Sequence, residues 1–198
     1  MQDSRRKPAP YPYLRTPYVY PAAFSISLTK KLIVEIGPGR GDFLFELARQ
    51  NPDATVVGIE IKPNRIDKII KRIERMRIPN VLLIQSDARE ALPRFFGRSS
   101  IDELHIQFPD PWPKKRHHKN RSMSPEFLSE CASRLKNGAV LEFITDHKEY
   151  FEVVKEFASQ VKDLTPVSRD DSIFPTFFAM KWRSEGRSFH LLKLEKRP

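Results

Sequence analysis

Four acidic side chains stand where alternating apolar runs of the chain end: Glu35, Glu60, Asp87 and Asp110. Glu35 lies in VEIGPGRGD (34–42), with Gly37, Gly39 and Gly41 spaced G-x-G-x-G and Asp42 behind them. Glu60 falls in TVVGIEI (55–61), Asp87 in QSDA (85–88), and Asp110 in QFPDPWPKKRHHKNR (107–121). A glycine-rich turn into a helix suits a nucleotide-like ligand, because glycine permits close backbone approach and the helix start offers free N–H groups. The same turn also serves as a plain tight connection, so the charges must discriminate. Glu35 and Asp42 would repel the pyrophosphate of a dinucleotide. They favour S-adenosylmethionine, which carries a sulfonium and an ammonium. Its ribose offers hydroxyls to Glu60, and its adenine amino group a donor to Asp87. Any one of these acids alone is more commonly a helix cap or a surface residue. Three at the ends of three successive runs, with the glycines, favour S-adenosylmethionine.

The elements that must position these residues follow from hydrophobic periodicity. Runs at 31–37, 55–61, 81–87, 101–108 and 139–146 read as buried strands, and 188–196 as a final strand. Helical spacing appears over 41–51, 62–76, 124–136 and 148–161; Ile66, Ile69, Ile70, Ile73 and Met76 form the clearest stripe. Strand and helix alternate, which predicts an α/β fold: a mostly parallel twisted sheet with helices on both faces. Its functional loops fall at the carboxyl ends of the strands. Residues 7–24 are rich in Pro and Tyr and exclude a regular helix or a central strand. We read 1–24 as an extended basic arm and 25–198 as the catalytic domain. The arm's tyrosines and cations would suit stacking on bases, or the arm is simply unstructured when free.

The chain of 198 residues carries a net charge of +10. Lys114, Lys115, Arg116, Lys119 and Arg121 crowd one run, and Arg5, Arg6, Lys7 and Arg15 face only Asp3 in the first twenty residues. Such concentration points to a polyanion, nucleic acid first. No apolar run reaches membrane-spanning length, and the single Cys131 excludes an internal disulfide or a cysteine zinc site. His117 and His118 lack a third ligand at useful spacing, so no metal is expected. The expectation is a cytoplasmic protein, monomer or homodimer, with no membrane and no obligatory protein partner.

VEIGPGRG, GIEI, QSDA and above all FPDPWPKKRHHKNR, followed by TD, resemble the tRNA (guanine-N7)-methyltransferases of the bacterial single-chain type. The resemblance runs from about Lys30 to the C-terminus and implies the Rossmann-like class I fold of S-adenosylmethionine-dependent methyltransferases. It implies cofactor contacts by Glu35, Glu60, Asp87 and Asp110, within motifs that include Gly37, Gly39, Gly41 and Ala88. It implies a catalytic part for Asp110, and substrate contacts by Lys114, Asp146 and Thr176. The segment Arg116, His117, His118, Lys119, Asn120, Arg121 would meet tRNA; Asn120 stands where the family often has Arg. The family's usual target is a guanine of the variable loop, position 46. Its late motif runs from Thr through two residues to Glu, and here TFFAMK places Ala179 at the Glu position. A carboxylate there could receive the guanine donor edge; Ala179 cannot. Either Glu185, Asp170 or Asp171 substitutes, or activity is altered.

Guanine N7 has a free lone pair, so attack on a methyl sulfonium needs no prior deprotonation. The chemistry asks for positioning and for stabilisation of charge passing to the purine, the part read for Asp110. Trp112 either stacks on the base or plugs the Pro-rich turn. Thr145 and Asp146 follow the fifth strand and would face the same cleft; Asp146 also suits an N-cap for the helix at 148–161. Two competing readings remain at this level. One is an exocyclic-amine methyltransferase, for which only Asp110-Pro111-Trp112 of the usual Asp-Pro-Pro-aromatic is present. The other is an RNA-binding module on a methyltransferase scaffold, motivated by Ala179.

Overall fold

The structure is a computed structural model that describes residues 13–15, 31–111, 123–168, 184, 186 and 188–198. The strands are β1 (Tyr13–Arg15), β2 (Leu32–Ile36), β3 (Thr55–Glu60), β4 (Val81–Gln85), β5 (Ile101–Gln107), β6 (Leu135–Thr145), β7 (Leu164–Pro166) and β8 (His190–Lys196). They form one sheet in the order β1-β4-β3-β2-β5-β6-β8-β7. All pairings from β1 to β6 are parallel, and β8 joins β6 and β7 antiparallel. The helices are α1 (Asp42–Gln50), α2 (Pro63–Met76), α3 (Ala88–Phe95), α4 (Pro125–Arg134) and α5 (Lys148–Ser159).

The central strands are apolar on both faces because both faces are covered. Ile33, Val56 and Leu83 pack under α1 and α2 in one cluster. Val34, Val57, Ile84, Leu104 and Leu141 pack in the other, with residues of α3, α4 and α5. On α2, Ile66, Ile69, Ile70 and Ile73 are buried, as their spacing predicts, and the helix opens on Pro63. The Asn80 amide nitrogen lies 2.9–3.1 Å from the carbonyls of Ala48, Asn51 and Ala54, tying the end of α1 to the entries of β3 and β4.

Four elements depart from the sequence expectation, one of them β7, a three-residue strand that no expected run covers. Tyr13–Arg15, bounded by Pro12 and Pro17, pairs with β4 as a three-residue edge strand, the one sheet position that tolerates flanking prolines. Helix α3 went unread although Asp87 caps it and Glu90 follows at capping-box spacing; its interior Pro93 masks the pattern. Strand β6 starts at Leu135, directly out of α4, rather than at 139.

Candidate functional site

The carboxyl ends of β4, β3, β2 and β5 are neighbours in the sheet. Between β2 and β5 the strand order reverses, which leaves a crevice that no crossover fills. A cleft of about 1270 Å³ opens there, lined by Glu35, Glu60, Asp87, Ala88 and Asp110 together with Gly37 and Gly39. The acids thus arrive from four adjacent strands although they are up to 75 residues apart in the chain (35 to 110).

The glycine turn is shaped by left-handed backbone. Gly37 and Gly39 take φ of 73° and 58°. The Gly37 N–H donates to the Ile59 carbonyl at 2.8 Å, and the Gly41 N–H to that of Pro38 at 2.7 Å. Gly41 does not line the cleft. It caps α1 at φ 80°, and a Cβ there would meet the Phe45 ring at 3.0–3.1 Å. The missing side chain at Gly41 leaves room for Phe45 of α1 and Ile69 of α2 to close over the start of the helix.

Glu35 and Glu60 are each only 2% exposed, yet their environments differ. Glu60 accepts from the N–H groups of Gly39 (3.2 Å) and Lys62 (2.9 Å) and from Arg65 Nη1 (3.4 Å). It thereby fastens the glycine turn to the end of β3. Glu35 Oε2 has no hydrogen-bond partner among the described residues. Burial pushes its carboxyl up to about 8, against the opposing pull of His105, with Asp42 and Glu60 adding to the rise. A buried carboxyl in this condition is suited to a cation or a donor supplied by a ligand. Asp42 is compensated by Arg72 at 2.7 Å and Arg40 at 3.8 Å.

Asp87 caps α3, accepting from Arg89 N–H at 2.8 Å and Arg89 Nε at 3.2 Å. Asp110 is exposed at the cleft mouth. It follows a sharp turn in which Phe108 takes φ 48°, a left-handed conformation rare for an aromatic residue. The Phe108 N–H donates to the Ile144 carbonyl at 2.8 Å, and its ring meets Phe189 edge-on at 5.4 Å, so the turn is pinned from two sides.

Asp146 lies at the same edge of the sheet, after β6, but is not among the residues lining the cleft. The expectation that it caps α5 is corrected: His147 is the N-cap, its Nδ1 accepting from the Tyr150 N–H at 3.2 Å. Thr145 is fully buried, its hydroxyl accepting from the His147 N–H. Trp112, Lys114, Arg116, His117, His118, Lys119, Asn120, Arg121, Thr176 and Ala179 lie outside the described residues.

Sequence reasoning missed three contributors. Ile61 is 57% exposed and lines the cleft beside Glu60; an apolar residue displayed beyond a strand end was the available signal. His105 is buried between Glu103 (3.1 Å) and Glu142 (3.7 Å), one strand from Glu35. Burial pulls its imidazole down, but the two carboxylates raise it to about 9, and Glu103 falls to about 2, chiefly through its hydrogen bond to His105. Alternating residues of an apolar strand gave no hint of this pair's ligand-side neighbour. Third, cations of α2 line one wall of the cleft. Among the described residues, no group of three His, Cys, Asp or Glu side chains could hold a metal, and no helix is long and apolar enough to cross a membrane.

Comparison with known proteins follows the same lines. The model of a family described as "Putative methyltransferase" matches residues 29–189. A tRNA (guanine-N(7)-)-methyltransferase of Thermotoga maritima is 36% identical over 169 residues, covering 84% of this chain and 54% of that protein. One from Aquifex aeolicus is 38% identical over 168 residues, covering 83% and 56%. The chain thus spans a little over half the length of these curated relatives. Among solved structures, the aminoglycoside resistance methyltransferase NpmB1 superposes with a TM-score of 0.61 at 20% identity, covering 86% of this chain and 89% of that one, a likeness of fold.

Proposed function

The chain belongs to this methyltransferase family, and we propose that its cleft binds S-adenosylmethionine and methylates guanine N7 in tRNA, giving 7-methylguanosine. The observation that carries this reading is the convergence of Glu35, Glu60, Asp87 and Asp110 on one crevice at the reversal of strand order. The curated relatives' activity supports the choice of base and RNA. The family's variable-loop guanine 46 is the target we propose, in a cytoplasmic protein.

The cofactor supplies an electrophilic methyl group on a positively charged sulfur. The unpartnered Glu35 carboxyl fits the cofactor's cationic end. Glu60 keeps lone pairs beyond its three donors and can accept from ribose hydroxyls. Asp87 would accept from an adenine amino group and Ile61 would form the apolar wall for the ring; both line the cleft. Asp110 faces the incoming purine and stabilises positive charge as it develops there. No general base is assigned, because N7 carries no proton. The pinned turn at Phe108 limits the loop's freedom and so holds Asp110 in place. Lys114, the Arg116–Arg121 segment, Asp146 and Thr176 complete the reading on the RNA side.

Incubation with methyl-labelled cofactor and tRNA, followed by nucleoside analysis, tests it. Label in 7-methylguanosine is the expected result. Label in an exocyclic-amine nucleoside would replace the reading with another enzyme, and no cofactor binding by calorimetry would replace it with an RNA-binding scaffold.

A further inference from the structure

Helix α2 separates its charges by side. Lys62, Arg65, Lys68, Lys71, Arg72 and Arg75 all line the cleft, whereas Asp67 and Glu74 do not. Across 62–77 seven cations accompany only those two acids, and an ordinary solubilising helix would interleave the signs. The cations fall into two rows. Arg65 and Arg72 are half-buried and reach back to the site's acids, Arg65 to Glu60 at 3.4 Å and Arg72 to Asp42 at 2.7 Å. Lys68, Lys71 and Arg75 are exposed, and none forms an ion pair with a described residue. The inner row balances the buried acids; the outer row is uncompensated.

We infer that the outer row of α2 is a phosphate-binding wall for RNA, a second grip on the cleft that Pro109 and Asp110 also line. The inference rests on the methyltransferase reading above and names how its polyanionic substrate is held. Lys68 to Arg75 spans about 10 Å of helix axis. Over that length one strand of a duplex carries about three phosphates. Depth supports the assignment: the acids Glu35 and Glu60 are buried on the floor, and the unpaired cations are exposed on the rim. A cationic cofactor and a polyanionic substrate can therefore occupy one cleft without exchanging places. A lipid surface fits worse, because the apolar stripe of α2 is buried in the core and offers nothing to insert.

The test compares the full-length variant K68Q/K71Q/R75Q with R98Q/K155Q/K162Q, which removes three exposed cations elsewhere. Binding of tRNA is measured over a salt series, and cofactor binding by calorimetry. The α2 variant is expected to lose roughly tenfold or more in tRNA affinity at low salt, and about 2–3 in the slope of log K against log salt. The control variant keeps both within about twofold of wild type, and both variants keep wild-type cofactor affinity, which shows the pocket is intact. Unchanged tRNA affinity and slope in the α2 variant, with wild type still forming 7-methylguanosine, would overturn this inference alone. An equal loss in the control would also overturn it, assigning the effect to net charge. Wild-type protein that binds phosphatidylserine vesicles but not tRNA would overturn both this inference and the tRNA reading.

Discussion

Glu35 on β2 and His105 on β5 stand directly opposite each other in the parallel ladder. The row continues through Glu142 on β6 to Lys193 on β8. A chain of ionisable groups therefore crosses the sheet and ends at the floor of the cofactor cleft. His105 Nε2 lies at hydrogen-bond distance from Glu103, its Nδ1 lies 3.7 Å from Glu142 with no hydrogen bond, and Glu35 keeps a bare oxygen.

Cofactor binding should release a proton. Burial raises Glu35 to about 8, so near neutral pH the empty site holds it largely protonated. A cationic ligand favours the ionised form, and below pH 8 its binding must expel the proton. Cofactor affinity should rise with pH up to about 8 and level off above. Calorimetry in buffers of different ionisation enthalpy checks the released proton. Glu35→Gln should abolish the linkage and weaken binding by about 1.5–3 kcal/mol.

Stability should fall as pH rises from the ordinary imidazole range through 9. His105 is raised from 6.5 to about 9, so its contribution is full below 6.5 and lost as pH passes 9. Glu35, raised from 4.5 to about 8, gives a loss of the same sign within its own window. Glu103, lowered to about 2, has the opposite sign: its contribution is present above 4.5 and lost as pH falls toward 2. Melting temperatures of wild type and His105→Gln across pH 6–10 (about) check this. The variant should melt lower near neutrality, and the gap should close as pH passes 9.

Gly58→Ala should damage fold and site together. Gly58 lies on β3 beside Glu35, and a Cβ there would meet Leu44 at 3.0 Å, Leu83 at 3.1 Å and Pro38 at 3.2 Å. Two of these neighbours are core, and the third belongs to the glycine turn. We expect a loss of about 1–3 kcal/mol in denaturant unfolding, with weaker cofactor binding. A stability loss with unchanged cofactor affinity would show that the turn does not follow its packing.

Asp110→Asn should lower single-turnover methyl transfer by about 10²–10³-fold while leaving tRNA affinity near wild type. Full single-turnover rate in this variant would remove Asp110 from the chemistry.

The sheet was legible in the sequence because its inner strands are buried on both faces and read as unbroken apolar runs, as in LIVEI and TVVGIE. The strand-end acids were legible for the same reason: a carboxylate near the end of an apolar run sits at the carboxyl end of its strand. Helix α3 was not, since Pro93 breaks its periodicity even though Asp87 and Glu90 mark its start. His147 takes the N-cap of α5 one residue beyond Asp146, although aspartate is the better intrinsic capper. The α2 wall was hidden by summation. Asp67 and Glu74 dilute the local charge in a linear reading, and only the helix places them off the cleft.

The central claim is that this cleft places a methyl group on guanine N7 in tRNA. Borohydride reduction and aniline cleavage break an RNA chain at 7-methylguanosine. Applied to tRNA incubated with the protein and S-adenosylmethionine, the treatment should cut at one guanine in the variable loop, and only when both protein and cofactor were present. An uncut chain, or methylation found at an exocyclic amine instead, would contradict the account.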